Sequence, residues 1–140
     1  MLYSIEVEGI GRMSHQGRSK HWTGEIHLDG EDEPVEVQIS GTPDGPTAAQ
    51  VEAVVALVAN SATLRQDAEA GLTALLAESG LEPSPVWDVF DFALTEVPAE
   101  SYDPEAIHVL VGLEHVDHPD DFRPAIDVVN GSVVQVLSGT

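Results

Sequence analysis

The chain has 140 residues, which fits a single domain around one core, and carries 25 Asp plus Glu against five Lys plus Arg for a formal net charge of −20. That balance repels nucleic-acid phosphates and anionic membranes, so neither is an expected partner. The absence of cysteine excludes disulfides, thiolate metal sites and cysteine nucleophiles.

Apolar residues make up 42% of the chain and aromatics only 5%, so the core must come from Val, Leu, Ile and Ala. No apolar run approaches the roughly 18–20 residues needed to cross a bilayer. Glu6 lies where a signal peptide would need an apolar stretch, so a cytoplasmic protein is expected.

Tyr3, Ile5 and Val7 alternate with Ser4, Glu6 and Glu8, which reads as a half-buried strand. Gly9 to Lys20 is rich in Gly, Ser and basic residues and reads as a loop. Trp22, Gly24, Ile26 and Leu28 then alternate with polar residues, as do Val35, Val37 and Ile39 after a turn at 29–34. The pattern predicts a three-strand antiparallel meander with one acidic, wet face.

Thr47-Ala48-Ala49-Gln50 fits a capping box, with Val51, Val54, Val55 and Val58 following at helical spacing. After a break at Asn60-Ser61, Leu64, Ala68, Leu72, Leu75 and Leu76 form a second apolar stripe, ended by Gly80. Residues 84–97 match both helical and strand periods and read as a short helix running into an extended segment.

Ile107, Val109, Val111 and Leu113 alternate as a strand. Asn130-Gly131 signals a two-residue hairpin joining about 125–129 to 132–137. Pairing Val128 with Val133 leaves apolar residues on both faces, so this hairpin is either covered on both sides or bulged. The expected fold is one α+β domain over 1–140. Its antiparallel sheet comes from the N-terminal meander and the C-terminal strands, with two or three short helices on one face. A doubly wound nucleotide fold does not fit this order.

The run Trp22-Thr23-Gly24-Glu25-Ile26-His27-Leu28, then Pro34 to Ile39, then Pro46-Thr47-Ala48-Ala49-Gln50 and a helix pair, resembles an uncharacterised bacterial family. Its members share a Trp-x-Gly strand, a short hairpin and two helices, and are found among candidate immunity proteins. The resemblance covers about residues 20–80 and implies a toxin-binding role without catalytic residues. Near the last strands Glu114-His115 is followed by Val116, where that family often carries Gly.

Two clusters are chemical candidates. His115 and His118, with Glu114, Asp117 and His108 on the preceding strand, have residue types that can ligate a divalent metal. Arg12, Arg18 and Lys20 form a basic patch in a Gly-rich segment, opposed by Glu25 and Glu36 on the wet face; these five are the candidate partner-binding residues. There is no P-loop and no Gly-x-Ser-x-Gly elbow, so no catalytic residue and no cofactor is assigned, and an enzyme is the less favoured class.

Three readings of function follow. The first is a non-catalytic acidic binding protein, immunity- or antitoxin-like, that contacts a basic protein. The second is a halophile-type acidic protein whose charge serves solubility in salt. The third is a metal-dependent enzyme or sensor using the 108–121 cluster. An exposed edge strand of the meander would also suit a homodimer, although nothing in the sequence selects it.

Overall fold

The computed structural model describes residues 2–16, 21–28, 33–40, 45–81, 85–97, 107–117 and 122–137. Eight strands and three helices follow in the order β1 (Leu2–Val7), β2 (Gly11–Gln16), β3 (His21–Ile26), β4 (Val35–Ser40), α1 (Ala48–Ala59), α2 (Ser61–Glu78), α3 (Val86–Val89), β5 (Phe90–Val97), β6 (His108–His115), β7 (Ala125–Val129) and β8 (Ser132–Leu137). The strands form one sheet in sequential order from β1 to β8.

The N-terminal meander has four strands, not three. β2 lies inside the segment read as a loop, and it pairs with β1 over six consecutive positions. Met13 is the only apolar side chain between Gly11 and Gln16, so the two-residue period is invisible in sequence. Yet Met13 is fully buried, and the edge-on contact of His15 with the Trp22 ring, 4.2 Å between centroids, joins β2 to β3. Gly9 and Gly11, at φ +92° and +113°, make the turn.

The sheet is also not wholly antiparallel. β4 and β5 run parallel, with Val37 beside Thr95 and Ile39 beside Val97. A parallel neighbour requires a crossover, and the helix pair supplies it. Two antiparallel four-strand meanders therefore meet at one parallel seam.

The crossover begins as the sequence predicts. Thr47 and Gln50 form a reciprocal capping box, and the Gln50 side-chain amide also donates to the Ser40 carbonyl at 2.8 Å. The helix start is thereby tied to the end of β4. α2 ends at Gly80 (φ +75°), with the Leu81 N–H donating to the Leu76 carbonyl and the Gly80 N–H to the Ala77 carbonyl, a Schellman closure. α2 spans 18 residues and is longer than the short helix expected.

One layer of core joins sheet and helices. Val37, Ile39, Val97, Val109, Val111, Ile126 and Val128 from the strands meet Val54, Leu57, Leu64, Leu72 and Leu76 from the helices. A Cβ added to Gly71 of α2 would stand 2.7 Å from Val136 of β8, so the missing side chain lets α2 lie close on the last strand. Asn130 and Gly131, at φ 53° and 81°, form the expected hairpin turn, which packs against the α1–α2 junction at Asn60. The expected Val128–Val133 pairing is present, and Val134 is the extra residue of a bulge.

Candidate functional site on the open sheet face

All the helical packing falls on the face that carries Val37, Val109 and Val111. Strand alternation sends the neighbouring residues to the opposite face. There Glu25 of β3 stands directly across from Glu36 of β4, and Asp91 of β5 directly across from Glu114 of β6. Directly opposed like charges oppose sheet formation. Glu25, Glu36 and Asp91 are exposed and Glu114 half-buried, so water moderates the repulsion without removing it.

These carboxylates line connected depressions. One, of about 870 Å³, is bordered by Arg12, Ser14, Thr23, Glu25, Glu33 and Glu36. A second, of about 610 Å³, shares Glu33, Pro34 and Glu36 with the first and adds Asp91 and Glu114. A third continues over Leu94, Leu110 and Ala125, an apolar floor beside Glu96 and Arg123. The result is a shallow groove across the strands, suited to an extended segment rather than an enclosed small molecule.

The floor depends on one irregularity. The register of β5 shifts between Phe92 and Thr95, which brings the Leu94 carbonyl toward β6. A Cβ on residue 112 would lie 2.5 Å from the Leu94 oxygen, so only Gly112 fits beneath this bulge.

The structure gathers Arg12, Glu25 and Glu36 of the expected partner-binding set into the first depression. Arg12 also bridges Glu6 on β1 at 3.5 Å. Arg18 and Lys20 lie outside the described residues. Asp91, Glu33 and Glu96 were not singled out from sequence. Asp91 falls in the segment of mixed period, where its face depends on where helix gives way to strand.

Among the described residues, His108, Glu114 and His115 of the candidate metal ligands are not brought to one place. His108 and His115 are an odd number of residues apart on β6 and project to opposite faces. His115 is buried edge-on against the stacked Phe90 and Phe122 rings, and its Nδ1 accepts from the Asp117 backbone N–H at 3.1 Å. Glu114 belongs to the open-face groove, and Arg123 lies 3.9 Å from it. His118 lies outside the described residues. Among the described residues no group of three or more His, Asp or Glu could hold a metal ion.

His108 instead belongs to a buried polar network that sequence reasoning missed. Its Nδ1 lies 2.6 Å from the Asp127 carboxylate, and the second carboxylate oxygen accepts from the Gln135 amide at 2.8 Å. With Asp127 ionised, its oxygens only accept, and Nδ1 is then the donor in this bond. The register pairs Asp127 with Gln135 across β7–β8, and Val129 with His108 across β6–β7. The only sequence signal was a lone Asp within the apolar run 125–129.

Among the described residues no helix is long and apolar enough to cross a membrane. No family model, no curated protein and no solved structure matches the chain.

Proposed function

We propose that this domain is a non-catalytic acidic binding protein that takes a basic segment of a protein partner on its open sheet face, in the manner of immunity or antitoxin proteins. The observation that carries the reading is the pair of directly opposed carboxylates on each side of the parallel seam, Glu25–Glu36 and Asp91–Glu114. Such pairs cost the isolated fold stability, and a bound Lys or Arg side chain placed between them turns repulsion into attraction.

The adjoining Leu94, Leu110 and Ala125 floor supplies apolar contact beside the charged groups, the mixture that specific interfaces use. The surrounding negative field would raise the rate of encounter with a cationic partner.

The test is capture of a basic partner from native lysate, followed by affinity measurements across a salt series. Affinity is expected to fall steeply as salt rises. It is also expected to fall by about tenfold or more on replacing both Glu36 and Asp91 by their amides, given the worth of charge pairs in a partly desolvated interface. Binding that ignores both salt and these substitutions would exclude the open face as the site.

A further inference from the structure

The open face changes character along one row of residues that crosses the strands. Glu25 pairs with Glu36 at the β3–β4 end, while Gly112 pairs with Ala125, and Ala125 with Leu137, at the β6–β8 end. Leu94 joins the two ends. Glu36 and Leu94 each come one residue before the parallel pair Val37–Thr95, and the Leu94 carbonyl is turned toward Gly112. From β3 to β8 the row therefore runs acid, acid, leucine, glycine, alanine, leucine.

An antiparallel sheet with one solvated face sends apolar side chains in and polar ones out. β3 and β4 obey this rule, with Thr23, Glu25, Glu36 and Gln38 on the open face. β5 to β8 break it: Leu94, Leu110, Ala125 and Leu137 are on that face, and each is only half-buried. Leu94, Leu110 and Ala125 border an open depression of about 480 Å³, together with Glu96 and Arg123.

The acidic and apolar stations have a fixed separation. From the Glu25–Glu36 pair to β6, on which the apolar depression is centred, there are about two and a half inter-strand spacings, or about 12 Å. An extended chain rises about 3.3 Å per residue, so side chains four residues apart span about 13 Å and point the same way. Side chains three residues apart point to opposite sides. The apolar path on β6 is two rows wide, Leu110 and Gly112, or about 7 Å; a helix with its side chains is about 10–12 Å across.

We propose, resting on the partner-binding reading of this face, that its occupant is an extended segment of a protein partner lying across the strands. A Lys or Arg of the segment sits between Glu25 and Glu36, and a bulky aliphatic side chain four residues away sits over Leu94, Leu110 and Ala125. The carboxylates fix which end receives the cation, and the apolar station fixes the register of the segment.

NMR chemical-shift mapping on isotope-labelled protein tests it with blocked threonine–serine peptides bearing one Arg and one Leu. With the two four residues apart, the amides of Glu25, Glu36, Gly112 and Ala125 are expected to shift together and to saturate. Moving the Leu to three residues from the Arg, or replacing it by Thr, is expected to weaken binding by about 5- to 30-fold, given the worth of a partly buried leucine. The responses of Gly112 and Ala125 are then lost while those of Glu25 and Glu36 persist. Leu110→Thr is expected to weaken the first peptide by a similar factor; if that variant fails to fold, the peptide changes alone decide. Salt-sensitive binding at Glu25 and Glu36 that ignores the place of the Leu would overturn the proposal and leave the partner-binding reading standing. Absence of any response on the open face, with every peptide, would overturn both. Tighter binding of a helical peptide with Arg and Leu eight residues apart would give the face to a helix, and shifts of the same amides on concentrating the protein alone would give it to a second copy; either result overturns the extended segment.

Discussion

At the scale of single residues, the polar atoms inside the sheet carry sharper consequences than the apolar ones. Thr95 is fully buried in a layer of valines and isoleucine, and its hydroxyl has no hydrogen-bond partner among the described residues. Valine has the same shape without the oxygen. Thr95→Val is therefore expected to raise stability by about 1 kcal/mol, read from the midpoint of denaturant unfolding at unchanged slope. Asp127 is the opposite case. It is fully buried and accepts from both His108 and Gln135. Asp127→Ala removes both acceptors at once and leaves His108 without its carboxylate, so a loss of about 3–5 kcal/mol is expected. Asp127→Asn retains one acceptor and sets its amide donor against the other group, which places it at about 1–3 kcal/mol. A loss at Asp127→Ala with none at the isosteric Asp127→Asn would mean that packing volume, not hydrogen bonding, governs this position.

At the scale of elements, β5 and β6 are locked by the bulge at Leu94 and the bare backbone of Gly112. Gly112→Ala forces a Cβ onto a carbonyl oxygen, which backbone cannot avoid by a rotamer change. A loss of about 3 kcal/mol or more is expected in thermal or denaturant unfolding, since overpacking against backbone exceeds the usual cost of one added methyl. The elements that sequence made legible are those with a strong local rule. The capping box at Thr47, the stop at Gly80, the Asn130-Gly131 turn and the helix-to-strand change near residue 90 all appear as read. β2 escaped because one methionine carries its whole buried face. The parallel β4–β5 seam escaped because strand order is set by the crossover, not by either strand's own pattern. The open-face site was half legible. Glu25 and Glu36 follow from alternation alone, whereas Asp91 and Glu114 become neighbours only once the β5–β6 register is fixed.

At the scale of the whole molecule, a net charge of −20 makes the fold and the site compete for the same carboxylates. Exposed acids spread over the helices and loops repel weakly and are screened by salt. The opposed pairs Glu25–Glu36 and Asp91–Glu114 are different, because the sheet fixes each partner opposite the other and neither can move away. Neutralising one member of a pair removes a repulsion of about 0.2–1 kcal/mol. Glu36→Gln and Asp91→Asn are thus each expected to stabilise the isolated domain by that amount in low salt, with the gain fading as salt rises. If the open face binds a cationic segment, the same two substitutions weaken the complex while strengthening the free fold. A set of control amides at exposed helical acids such as Glu52 and Glu69, which lie away from the groove, tests whether this inverse relation belongs to the groove. Controls that behave identically would assign the acidity to the solvation of the whole surface, and retention of the fold only in molar salt would then mark it as an adaptation to a salt-rich solvent. Stabilisation confined to Glu36 and Asp91, together with loss of partner affinity, would identify the groove as the place where the domain gives up stability for binding.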